Sequence, residues 1–319
     1  MSTLKRRLLP VADAILAPFV YPAASLLRQV RTAGVERMPA CRSVLLKMGV
    51  FPIRNHYYEP QFDLRTTRRP LAQERPLPGI DWNVDEQIAL LNAMCLADEL
   101  VETPLDKPDH LGFYLNNGSF ESGDAEFWYQ MVRLKKPRRI FEVGSGNSTL
   151  AAIQAIRRNQ IEDPAYACKH VCIEPYEMPW LEQTAFSVVR RKVEDLDIGF
   201  FSELQQDDVL FIDSSHIIRP DGDVLFEYLE LLPTLSKGVI VHIHDIFSPR
   251  NYPEDWLAEK VLFWNEQYLL EAFLTHNSSW AIIGSLNYLR HHHYEGLKAA
   301  APFLTPEREP GSFYIQKRT

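Results

Sequence analysis

Cysteine is scarce in this chain. Four residues in 319 (Cys41, Cys95, Cys168 and Cys172) are too few and too scattered for a disulfide framework. Cys168 and Cys172 are separated by three intervening residues, not the two of a zinc-ribbon knuckle, and Cys172 falls in an apolar run. All four read as reduced, structural thiols of a cytoplasmic protein. Internal repeats and low-complexity tracts are also missing, which excludes solenoid and array architectures. A clean membrane-spanning run is lacking too. The one long apolar stretch, Leu8 to Leu27 behind Lys5-Arg6-Arg7, is interrupted by Asp13 and by Pro10, Pro18 and Pro22. It makes a poor spanning helix and a weak secretory signal, and reads as an amphipathic segment that docks on protein or touches a membrane surface. Basic charge is in deficit overall, with a formal net of -8. It is nevertheless concentrated at one end, where residues 1 to 75 hold 13 Lys+Arg against 5 Asp+Glu. A basic arm ahead of an acidic body argues against a nucleic-acid-binding core.

What is present suits an ordinary globular protein, with 46% hydrophobic and 24% charged residues. Residues 1–80 are rich in Arg, Pro and aromatics and end in Arg75-Pro76-Leu77-Pro78-Gly79, a boundary that leaves 81–319 as the main domain. Apolar spacing predicts helices over 81–102, 125–134, 148–159, 179–185, 224–235 and, as one long helix, 256–275. Short apolar strands are predicted over 139–143, 170–174, 187–191, 208–212 and 238–242, with late strands at 280–283 and 312–316. Such alternation implies a doubly wound, Rossmann-like α/β fold: a mainly parallel sheet with a late antiparallel strand, behind an N-terminal helical or irregular extension.

In such sheets ligands bind beyond the carboxyl ends of the strands. The first strand ends in Glu142-Val143-Gly144-Ser145-Gly146 with a helix starting near Ser148, so glycines allow a sharp turn and helix amides face a ligand. Thr149 stands where a dinucleotide fingerprint would place its third glycine, which disfavours a nicotinamide-dependent oxidoreductase. The second strand ends in Glu174, a carboxylate suited to both hydroxyls of a ribose. The fourth ends in Asp213-Ser214-Ser215-His216 and the fifth in His242-Ile243-His244-Asp245. Neighbouring strands lie about 5 Å apart, so Asp213, His244 and Asp245 could converge on one cation. The Asp pair suits Mg²⁺ and His244 tilts the preference towards Mn²⁺, Fe²⁺ or Zn²⁺. His242 reads as a structural strand histidine. The run Arg290-His291-His292-His293-Tyr294 reads as a solvated face, because successive helix residues point apart. His56-Tyr57-Tyr58-Glu59-Pro60 is either a lid or a packing segment.

Glu142 to Ser148 followed by Glu174 resembles motifs I and II of the class I S-adenosylmethionine-dependent methyltransferases, and the resemblance extends over roughly residues 113 to 317. It implies that Glu142, Gly144, Ser145, Gly146 and Ser148 surround S-adenosylmethionine, that Glu174 holds its ribose, and that Glu194 and Asp195 contact adenine. The strand-four and strand-five ends are similar to those of divalent-metal-dependent O-methyltransferases of the catechol and macrolide-sugar type. That similarity implies Mg²⁺ or Mn²⁺ on Asp213, His244 and Asp245, with His216 as catalytic base beside Asp213. The expected reaction is methylation of a hydroxyl on a small molecule, a sugar, glycolipid or natural product. The expected partners are that acceptor and, through the N-terminal segment, the inner face of a membrane, with homo-oligomerisation left open. The rival readings are the oxidoreductase and a non-catalytic, methyltransferase-like scaffold.

Overall fold

The computed structural model describes residues 3–319, which divide into two compact units at the step from Arg69 to Pro70. The division precedes the expected one near residue 80, because Ile80 is buried in the body and Arg75 forms an ion pair with Glu271 there. In the first unit, α1 (Thr3–Ala33) runs uninterrupted through Pro10, Pro18 and Pro22, and α2 (Pro39–Met48) follows a short turn. Arg31 and Arg54 converge on Glu59 at 2.9 and 3.1 Å.

The second unit begins with α3 (Val84–Ala93) and α4 (Ala97–Leu100), not the single helix expected over 81–102. The side-chain carbonyl of Gln130 accepts the Leu96 amide and takes the place of a helical bond. Then α5 (Asp124–Lys135) leads to β1 (Arg139–Val143), α6 (Asn147–Glu162), β2 (Lys169–Ile173) and β3 (Ser187–Val189). After β4 (Val209–Ile212), α7 (Asp223–Leu225) passes through a π-helical turn (Phe226–Leu231) into α8 (Leu232–Thr234) and β5 (Ile240–Ile243). The expected long helix over 256–275 is two helices, α9 (Glu254–Ala258) and α10 (Glu266–Leu274). Between them Val261 takes a left-handed φ of 54°, and the amides of Asn265 and Glu266 donate to the carbonyl of His216 at 3.0 and 3.2 Å. The apolar spacing of this segment reflects cavity-lining tryptophans as well as a helix face. The chain ends with β6 (Trp280–Ser285), α11 (Leu286–His292), α12 (Tyr294–Ala300) and β7 (Phe313–Lys317).

The seven strands lie in the order β3-β2-β1-β4-β5-β7-β6, all parallel in pairing except where β7 runs antiparallel to both of its neighbours. Alternate residues feed opposite faces, as the pleat requires. Ile140, Phe211 and Tyr314 pack under α5, α6, α11 and α12, while Phe141, Val143, Leu210 and Ile212 pack with Val224, Tyr228 and Leu270 on the other side. The chain leaves β1 outward to β2 and β3 and returns to β4 on the opposite flank, so the crevice for a ligand opens where β1 and β4 end.

Candidate functional site

Val143 of β1 faces Ile212 of β4, so the two strands end level and their next residues, Gly144 and Asp213, meet. The Asp213 amide donates to the Val143 carbonyl at 2.9 Å, and a Cβ on Gly144 would collide with the Asp213 carbonyl oxygen. Gly144 also has φ 76°, so glycine is demanded on both counts. Gly146 differs. A Cβ there would meet only the Met178 methyl at 3.8 Å, which leaves open space above the start of α6. Ser145 is buried and its hydroxyl has no hydrogen-bond partner. Glu174 follows β2, accepts the amides of Tyr176 and Glu177 at 2.9 Å each, and receives the Ser145 amide at 3.4 Å. Its carboxylate is thereby fixed beside the glycine turn.

Glu142 is not part of that open space. It is fully buried and accepts from Ser148 at 2.5 Å and Thr149 at 2.9 Å, with His170 Nε2 at 2.7 Å. The expected ligand contacts of the Glu142 and Ser148 side chains are therefore spent on tying β1, β2 and α6 together behind the turn. The strand pleat explains this, since residue 142 points to the α6 face. Glu194 and Asp195 sit in a short turn after β3. Glu194 is half-buried near Lys192 and Arg219, and Asp195 is exposed.

Beyond Asp213 the structure gathers Asp213, His216 and Asp245, whose donor atoms lie within 4.8 Å of one another. His216 Nε2 is 3.2 Å from Asp213 and 3.6 Å from Asp245, and its Nδ1 is 2.7 Å from Glu266. His244 stands to one side, with Nε2 3.6 Å from Asp245 and Nδ1 3.4 Å from the Ser312 hydroxyl. The expected trio of Asp213, His244 and Asp245 is thus replaced by one in which His216 is the nitrogen donor. His216 and Asp245 both have left-handed φ, 59° and 58°, a strained backbone that concentrates at functional loops. Burial alone would drive the His216 ring neutral, but Asp213 and Glu266 outweigh it and hold the imidazole well above its ordinary value. Burial pushes the Asp245 carboxyl up to about 6.

Next to this cluster lies a cavity of about 540 Å³, lined by Ser119, Asp124, Asp213, His244, Asp245 and the indoles of Trp256 and Trp264 among others. The two indoles meet edge to face at 5.2 Å, and Trp264 leans on His216 at 4.2 Å. Sequence reasoning missed Glu266 and both tryptophans, which lay inside the supposed long helix. The only available signal was Asn265-Glu266, a polar pair at a helix start within an apolar segment. His242 lies within β5, stacked on Tyr314, with Nε2 2.8 Å from the Ser312 hydroxyl, as a structural histidine should. His291 and His292 point apart, to Glu309 and Glu74. All four cysteines are free.

Residues 141–246 match a family described as a methyltransferase domain. An uncharacterized protein of Archaeoglobus fulgidus is 28% identical over 171 residues, 49% of this chain and 75% of that one. Among solved structures, the plantazolicin methyltransferase BpumL in complex with a triazolic desmethylPZN analog and SAH aligns with 74% of this chain and 99% of its own, at 11% identity and a TM-score of 0.37. A protein described as an L-isoaspartate O-methyltransferase of Plasmodium falciparum, in complex with S-adenosyl-L-homocysteine, aligns with 50% of this chain and 76% of its own, at 14% identity and a TM-score of 0.27. These superpositions are loose.

Proposed function

We infer, from a chain that carries a class I methyltransferase domain, that the protein transfers a methyl group from S-adenosylmethionine to a hydroxyl of a small molecule. A sugar, a sugar-bearing natural product or a glycolipid suits the indole-walled cavity best. One observation carries the reading: the Gly144 turn abuts Asp213, so a nucleotide turn and an acid-lined cavity share a single pair of strand ends.

The residues fit the methyl donor. The open side of Gly146, the unpartnered Ser145 hydroxyl and the pre-set Glu174 carboxylate form a cradle for a polar nucleoside, and Glu194 and Asp195, in the turn after β3, are read as its adenine contacts. When bound, S-adenosylmethionine supplies an electrophilic methyl group on a positively charged sulfur. The protein's work is then to hold the acceptor oxygen in line and to take its proton. Asp245 suits the proton, since it lines the cavity beside His216 and burial raises its carboxyl to about 6. His216, the expected base, is engaged at both nitrogens, with Nδ1 on Glu266 and Nε2 facing Asp213 and Asp245. Two carboxylates and an imidazole backed by Glu266 also fit a divalent cation such as Mn²⁺, which would lower the pKa of a hydroxyl there.

Calorimetry with S-adenosylmethionine, S-adenosylhomocysteine and NAD, each with and without Mn²⁺, tests this. Binding of the two sulfur nucleotides is expected. Glu174→Gln should weaken them by about 10- to 100-fold, the worth of a charged hydrogen-bond acceptor, at unchanged melting temperature. Tight NAD binding with no response to either sulfur nucleotide would overturn the reading.

For the N-terminal unit the reading is a contact with the inner face of a membrane. Leu9–Ala33 is long and apolar enough to cross a bilayer by length and composition, and none of that stretch's best apolar window is buried. Ile15, Leu16, Phe19, Val20 and Leu26 are exposed and recur at helical spacing on one face of α1, the pattern of a helix that lies in a lipid interface.

A further inference from the structure

We infer that Glu266, supported by Tyr228, is the positioning residue of the acid and imidazole cluster, and that the π-helical turn exists to bring that support into place. The inference rests on the reading of the cluster as the point where the acceptor hydroxyl is activated. Glu266 opens α10 and is fully buried. One carboxylate oxygen takes His216 Nδ1 at 2.7 Å and the other accepts the Tyr228 hydroxyl at 2.9 Å. A ring held at Nδ1 has one remaining freedom, and the Trp264 indole removes it, so Nε2 must face Asp213 and Asp245.

Tyr228 comes from the Phe226–Leu231 turn, where an extra residue in the helical ladder rotates the side chains that follow. That turn also supplies Glu227, which accepts the Ser214 hydroxyl at 3.0 Å, while Asp223 just ahead of it receives the Ser215 amide and hydroxyl at 2.8 and 2.7 Å. From the other side, the Asn265 side chain accepts the Ile218 amide at 2.6 Å. The strained loop after β4 is therefore pinned at Ser214, Ser215, His216 and Ile218 by two separate helical segments. The arrangement matches that of metal-ligating histidines, whose second nitrogen is held by a carboxylate that sets the tautomer.

The test uses the full chain, with Mn²⁺ alone and S-adenosylhomocysteine alone as probes. In the wild type a low-field imidazole N–H proton resonance, assigned by its loss in His216→Asn, should report the bond to Glu266. Glu266→Gln should abolish it, weaken Mn²⁺ binding measured by electron paramagnetic resonance by about 10- to 100-fold, and leave S-adenosylhomocysteine affinity unchanged. Tyr228→Phe should shift the resonance and weaken Mn²⁺ less. Adding Glu266→Gln to His216→Asn should cost nothing further, because Glu266 acts through that ring. Retention of the resonance in Glu266→Gln, or fully additive losses in the double variant, would overturn the inference. A wild type that binds S-adenosylhomocysteine but no Mn²⁺ removes the cation from the reading, and the resonance alone then decides the positioning. A wild type that does not bind S-adenosylhomocysteine removes the methyltransferase reading instead.

Discussion

Two glycines two residues apart answer to different demands. Gly144 has a left-handed φ and a carbonyl in the way of any Cβ, so Gly144→Ala should lose about 3 kcal/mol or more of stability, from strain and overpacking together. Gly146 faces open space, so Gly146→Ala should melt like the wild type yet bind S-adenosylhomocysteine more weakly, because the methyl group would fill the cradle. Denaturant melts paired with calorimetry separate the two, and equal behaviour of both variants would contradict the assignment. The sequence pattern marked both glycines, and Glu174, Asp213 and Asp245, because each follows an apolar strand directly. It cannot mark the direction of a side chain within a strand, and so the pattern alone does not separate Glu142, which bonds Ser148, Thr149 and His170 behind the turn, from the residues that face the cleft. Nor could it show that His216 rather than His244 stands between the aspartates, since that depends on the left-handed turn at His216, which no local pattern marks.

At the scale of elements, helices α4, α5 and α6 are tied by one cation. Arg133 of α5, nearly buried, donates to Glu99 of α4 at 2.8 and 2.9 Å and to Glu162 of α6 at 2.5 Å, and the Tyr129 hydroxyl also donates to Glu99. The Arg133 hydrogen bond holds the Glu99 carboxyl below its ordinary value of 4.5. A carboxyl depressed by folding contributes stability that is present above its unfolded value and is lost as pH falls through the folded one. Glu99→Gln should therefore cost about 1 to 3 kcal/mol at neutral pH, and its stability should decline less than that of the wild type below pH 4.5. Urea melts across that range check it, and parallel curves would disprove the coupling. The elements of the sheet were the most legible part of the chain, because strands buried on both faces are written as unbroken apolar runs. The segment after β5 was the least legible. Trp256 and Trp264 keep a helical spacing while the backbone between them is diverted to the His216 carbonyl, a long-range hydrogen bond that no local pattern encodes.

Over the whole molecule, charge divides with the units. Residues 1–69 carry 12 Lys+Arg against 4 Asp+Glu, while residues 70–319 carry 22 against 38. An anionic bilayer would attract the first and repel the second, each basic residue near the surface adding about 1 kcal/mol. Full-length protein should pellet with phosphatidylglycerol vesicles but not with neutral ones, and raised salt should weaken the binding. A variant with Leu16→Glu and Phe19→Glu should remain in the supernatant. Pelleting of that variant at the wild-type level, or failure of the wild type to pellet, would count against membrane contact. The contact between Gly144 and Asp213 has a different reach. Because not even one methyl group fits between the two loops, the separation of the proposed donor and acceptor sites is set when the chain folds. On the proposed reading such a protein is retargeted by rewriting the cavity wall around Trp256 while Trp264 stays against His216: the molecule modified would change and the reacting distance would stay as it was.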